Sequence, residues 1–173
     1  MICGLDISTS ITGVTILDDL GNIIHNEAWD TRKFKTFFTK VNFIKGKISS
    51  LTGEYDIKEI YIEQSLQSFR SGFSSAKTLS SLSRFNGAVS WLMFEHTDVT
   101  PEYISASSAR KSCGIKIPRG ENAKQKVVEF LLDKEPCFVV EYTRFGNIKP
   151  ECFDKADSIV IARAGYNCQQ KRN

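Results

Sequence analysis

At 173 residues, 41% hydrophobic and 25% charged, the chain has an ordinary globular composition and enough length for one domain over 1–173 with a sizeable buried core. A net charge of +3 permits a nucleic-acid partner without arguing for one, so such a case rests on where the charges lie. No apolar run approaches the about 20 residues of a membrane span and no signal peptide opens the chain. Five cysteines without a CxxC, and without histidines at zinc spacing, fit free thiols in a reducing compartment, so the expectation is a soluble cytoplasmic protein (host cytoplasm if viral) with no membrane association.

The first thirty residues read as three strands, 1–8, 12–17 and 22–29, with hairpin-turn chemistry at 18–22. Over 34–51 the pattern turns helical, with Phe34, Phe37, Phe38, Val41, Ile44 and Ile48 at three- and four-residue steps. Lys35, Lys40, Lys45 and Lys47 take much of the opposite side and read as a solvated face. Residues 57–64 predict a fourth strand. A serine-rich stretch then leads to a helix over 75–95, capped by Ser74 or Ser75 and apolar at Leu79, Leu82, Val89, Leu92 and Met93. A strand over 99–106 is interrupted by Pro101, which marks an edge or a strand start. A basic connector precedes a helix over 124–132; 135–150 is ambiguous between strand and loop. A last helix runs over 150–166, with Pro150 tolerated in its first turn. The order predicts an α/β fold, a mixed five-stranded sheet flanked by helices.

Four carboxylates sit where apolar residues are expected. Asp6 interrupts the opening strand in GLDISTSITG, and Glu63 ends the strand IYIEQ. Asp154 and Asp157 in FDKADSIVIARAGY share one side of a largely apolar helix, one turn apart. Singly, each has a plain explanation, such as helix-dipole complementarity or a surface position at a strand end. Together they point to an oxygen-rich site for Mg²⁺ or Mn²⁺, because clustered carboxylates repel unless a cation lies between them. A pair of such ions can activate a water and stabilise the leaving oxygen in phosphodiester hydrolysis. The hydroxyls after Asp6 read as turn formers entering the second strand, with Ser8 and Thr12 supporting the site at most.

In this order GLDISTSITG, YIEQ, ARKSCGIK with ENAKQKVVEFLL, and DKADSIVIA resemble the RuvC-type Holliday-junction resolvases (crossover junction endodeoxyribonucleases) of bacteria and their phages, as a divergent, phage-like member. The resemblance runs through most of the chain. It implies an RNase H-like fold with four catalytic, metal-binding acids, which fall on Asp6, Glu63, Asp154 and Asp157. It also implies two Mg²⁺ ions per site, replaceable by Mn²⁺, and a homodimer that nicks four-way DNA junctions symmetrically in two strands. The chain departs from the family at Ser8, where bacterial members often have glycine, and over 135–150, which is longer and adds Glu141.

For DNA binding the densest basic segment is 110–126, with Arg110, Lys111, Lys116, Arg119 and Lys124 as candidates; Lys124 matches the family's DNA-binding lysines best. Phe69, Arg70 and Phe73 lie in a serine-rich loop after Glu63, where an aromatic ring stacks on unpaired bases or anchors the loop. The resemblance favours Phe69 or Phe73 entering the junction centre. Part of the 75–95 helix is the expected two-fold interface. Two alternatives stand beside the nuclease. An actin- or sugar-kinase-like nucleotide phosphotransferase also opens on an Asp-bearing strand and a Gly/Ser/Thr turn, but needs two related lobes. The other is a non-catalytic protein that binds branched DNA.

Overall fold

The computed structural model describes residues 1–64 and 76–172. Five strands, β1 (Ile2–Asp6), β2 (Ile11–Leu17), β3 (Ile23–Asp30), β4 (Glu59–Glu63) and β5 (Glu102–Ile104), form one sheet in the order β3-β2-β1-β4-β5. The first three strands pair antiparallel, and β4 and β5 join parallel to β1 and to each other. Helices α1 (Phe37–Glu54) and α2 (Ala76–Thr97) cover one face; α3 (Ala106–Ser112), α4 (Ala123–Lys134) and α5 (Pro150–Arg172) cover the other.

Strand alternation assigns side chains to these two layers. Cys3, Leu5, Val14, Ile16, Ile60 and Ile62 pack toward α1 and α2. Ile2, Leu17 and Tyr61 face the layer built on α5, whose Ile159, Val160, Ile161, Ala162 and Ala164 are buried. The approach of α5 to the sheet is unusually close because glycines line its path. A Cβ added at Gly4 would lie 2.5 Å from the Ala162 amide nitrogen. One at Gly13 would run into the Asp154 carbonyl, and one at Gly165 into the Tyr61 ring.

The mixed sheet and its helical layers match the expectation, with shifts at the ends. Phe34 lies before α1: its N–H bonds the Thr31 carbonyl, and the helix starts only at Phe37, capped by Thr36 in a box with Thr39. β5 is three residues long, begins just past Pro101 and is an edge strand, which shortens the predicted 99–106 run. The basic connector holds a helix, α3, capped by Ser105, that serine-rich composition concealed. The ambiguous 135–150 segment contains only an isolated bridge, Tyr142 to Ile148, so its β-rich run is a loop. α5 runs on to Arg172, well past the predicted end. The expected caps Ser74 and Ser75 lie outside the described residues.

Gly4→Ala is expected to lower stability by about 1–3 kcal/mol, as overpacking does. Gly46→Ala, on α1 with nothing within 4 Å of the added carbon, is expected to raise it by about 0.5–1 kcal/mol. Urea denaturation of both variants checks the contrast.

Candidate active site

Asp6 and Glu63 are the last residues of β1 and β4, adjacent parallel strands whose register runs Ile2 to Glu59 through Leu5 to Ile62. Both follow the alternation of Gly4 and Tyr61, so they emerge on the α5 face at one end of the sheet. Asp154 and Asp157 lie in the opening turns of α5, which starts at Pro150 in the position where a missing N–H costs nothing. A buried relay fixes this end of the helix. Asn26 Nδ2 donates to Thr15 Oγ1 at 2.8 Å, Thr15 and Ser158 hydroxyls are 2.8 Å apart, and Ser158 Oγ donates to the Lys155 carbonyl at 2.8 Å. With both ends assigned, Thr15 must be the donor to Ser158, and each hydroxyl both gives and accepts. Across the sheet, Asn86 Nδ2 donates to the Glu63 carbonyl at 3.4 Å. These supporting polar groups were not singled out in the sequence; a serine in the apolar run DSIVIA was the available signal.

The four carboxylates perturb one another. Burial first, then Glu63, Asp157 and Asp154, push Asp6 well above the usual carboxylate range. Burial and Asp157 push Glu63 up to about 7, against the pull of Arg110 and Lys124. Burial raises Asp154 to about 6 and also raises Asp157, in both cases against Lys124. The exposed Lys124 ammonium lies 3.9 Å from Asp154 Oδ1 and 3.7 Å from Asp157 Oδ2. Burial works against its charge, but the four acids raise its pKa overall. Among the described residues, no three His, Cys, Asp or Glu side chains already stand together as a ligand set. The acids are near enough to feel each other's charge, and the cation between Asp154 and Asp157 is a lysine.

The turn after Asp6 satisfies itself. Ser8 Oγ accepts from the Ser10 and Ile11 amides and donates to the Ile11 carbonyl at 2.7 Å, while Thr12 Oγ1 donates to the Ser8 carbonyl. That agrees with hydroxyls that shape a turn. Glu141 is drawn away to Lys149 at 2.6 Å and takes no part in the cluster.

Of the basic candidates, Lys124 and Arg110 reach the acids electrostatically. Arg110, Lys111 and Lys116 line an adjoining open groove of about 430 Å³ with Ser107, Gly114, Ile115 and Ile117. Arg119 is exposed just before α4. Phe69, Arg70 and Phe73 lie outside the described residues.

No family model and no curated protein sequence matches the chain. Solved structures do. RuvC of Thermus thermophilus in complex with a Holliday-junction substrate superposes with a TM-score of 0.67 at 15% identity, over 98% of this chain and 94% of that one. The chain has the RuvC fold. A further Thermus thermophilus RuvC structure gives 0.64 at 16% identity, covering 98% and 96% of the two chains. The yeast mitochondrial Holliday-junction resolvase Ydc2 gives 0.58 at 13%, covering 99% of this chain and 80% of its own. The mixed sheet with helices on both faces is thus the RNase H-like arrangement of RuvC, as the sequence resemblance implied. No described helix is long and apolar enough to cross a membrane.

The carboxylates set a pH dependence of stability. Glu63 holds its proton more tightly folded, near 7, than its ordinary 4.5, so its stabilising protonated form is complete below about 4.5 and is lost as pH rises through about 7. In EDTA, the wild type is expected to lose stability relative to Glu63→Gln across that window. Parallel urea-midpoint curves from pH 4.5 to 7.5 would contradict it.

Proposed function

We propose that this protein is a divalent-metal-dependent, structure-selective endodeoxyribonuclease that resolves branched DNA, chiefly four-way junctions, by paired symmetric incision as a homodimer. The observation that carries this reading is the convergence of Asp6, Glu63, Asp154 and Asp157 from β1, β4 and α5, beside Lys124 and Arg110. The likeness to RuvC bound to a Holliday-junction substrate, and to the resolvase Ydc2, makes the four-way junction the first substrate to test.

The donor set fits Mg²⁺, with Mn²⁺ as a substitute: four hard carboxylate oxygen donors, partly open to solvent and crowded enough that their proton affinities rise. Asp6, Glu63, Asp154 and Asp157 would hold two ions per site. Bound there, such ions supply the positive charge that activates a water and stabilises a departing 3′ oxygen.

The chain's own groups do the rest. The sheet fixes the backbone of Asp6 and Glu63 and α5 that of Asp154 and Asp157, so drawing the acids together around a scissile phosphate takes side-chain movement, with Lys124 leaving the space between the two aspartates. Lys124 is exposed enough for its ammonium to meet a phosphate oxygen, and Arg110, Lys111, Lys116 and Arg119 extend positive charge away from the acids for the flanking backbone. On α2, Trp91 (57% exposed) and Phe94 (41% exposed) stand outward one turn apart, an apolar stripe suited to a two-fold contact. Against a phosphotransferase, two of the four hydroxyls after Asp6, those of Ser8 and Thr12, are engaged in their own turn.

With Mg²⁺, nicking of a labelled four-way junction is expected at symmetric positions, with linear duplex spared and EDTA abolishing the activity. Asp6→Asn should retain junction binding and lose at least about 100-fold in rate; cleavage at the wild-type rate would refute the assignment. Lys124→Ala should weaken binding and lower the salt slope by about 1. The double variant Trp91→Glu with Phe94→Glu is expected to sediment as a monomer and to uncouple the paired incisions.

A further inference from the structure

On the other side of the same end of the sheet, the segment between β3 and α1 carries aromatic and basic residues that the acid cluster does not use. Phe34, Phe38, Thr39, Asn42 and Phe43 line an open groove of about 540 Å³. Phe38 is 80% exposed, costly for a ring that only needed to fill space. Phe34 and Phe43 rings lie 5.0 Å apart, and Lys33 Nζ sits 5.2 Å and 5.6 Å from their centres. Phe38, Asn42 and Lys45 succeed one another at four- and three-residue steps, so ring, amide and ammonium share one outer stripe of α1. Among the described residues no carboxylate pairs with Lys33, Lys35 or Lys45, whereas Glu27, Asp30 and Glu151 are each engaged by Lys47 or Arg32. Asp30 feels the charge of Lys33 as well as that of Arg32, but among the described residues Lys35 and Lys45 have no such counterpart, so the groove keeps a net positive surround.

It is also tied to the acid cluster. Lys40 Nζ and Thr31 Oγ1 both donate to the Thr9 carbonyl, in the turn that leaves Asp6. Arg32 pairs with Glu151, one turn before Asp154 on α5. Hydrogen bonds and an ion pair thus connect the segment to the two elements that present Asp6 and Asp154.

We propose that this groove binds a nucleic-acid strand, with one unpaired nucleobase stacked on Phe38, the Asn42 amide facing its edge, and Lys33, Lys35 and Lys45 holding adjoining phosphates. The occupant follows from charge complementarity, from an exposed ring with a sequence-tolerant face, and from continuity with the acid cluster. The proposal rests on the nucleic-acid side of the function proposed above and not on its hydrolytic step. It selects DNA with an unpaired base beside the branch over a fully paired junction.

The test is binding by the full chain in EDTA to two four-way junctions, one fully paired and one with a single unpaired 2-aminopurine beside the branch. Wild type is expected to prefer the second and to quench its fluorescence. Phe38→Ala should lose about 5- to 100-fold for that junction alone and release the quench, while Phe38→Tyr keeps both. Lys33→Ala with Lys35→Ala should weaken both junctions and reduce the salt slope by about 2. Wild-type affinity and quench in Phe38→Ala would overturn the proposal. So would a change in oligomeric state with DNA binding intact, which would give the groove to a second copy. Absence of cleavage with Mg²⁺ alongside the Phe38-dependent quench would support this groove and defeat the hydrolytic reading; failure to bind either junction would defeat both.

Discussion

Everything at the candidate site depends on how closely α5 lies on the sheet. Helices normally stand off a sheet by the depth of two interlocking layers of side chains. Here Gly4 and Gly13 on the strands and Gly165 on the helix remove those layers along one track. With the backbone of α5 against β1 and β2, short aspartates on the helix reach the charge of an aspartate and a glutamate on the strands. Longer side chains could have bridged a wider gap, but with more rotamers to freeze and less fixed positions. The Asn26–Thr15–Ser158 relay then sets the helix along its axis, which packing against glycines alone would leave loose.

That arrangement opposes folding as much as it serves chemistry. Burial raises the proton affinities of all four half-buried acids, like charge adds to it at Asp6, Glu63 and Asp154, and Lys124 offsets only part of the cost. The apolar layers on both faces of the sheet hold the frame in spite of this. Such a cluster binds protons or cations more readily than any of its members would alone, a tension expected where charge is to be used rather than neutralised.

The elements with a clear period were legible from the residues. Alternation in ICGLD and ITGVTIL, and helical spacing around Ile44 and Ile48, needed no tertiary information. The misplaced acids were legible too, because a carboxylate in an apolar run contradicts its surroundings. What escaped was set by distant partners. Phe34 fits the helical spacing but is held in a turn by Thr31, and α3 lies in a stretch whose serines favour caps as readily as loops. The exposure of Phe38 was hidden for the same reason: spacing placed it in an apolar set, and only the packing of Phe37 against Phe85 shows which ring turns inward.

The acid cluster draws its members from residues 6, 63, 154 and 157, so loop closure over most of the chain precedes its assembly. During vectorial synthesis the first half of the cluster emerges long before the second. A nascent chain that ends before α5 carries Asp6 and Glu63 without the helix that covers them and without the added charges of Asp154 and Asp157. The perturbed acids are thus a property of the finished fold, and whatever chemistry they perform is silent until the last helix docks.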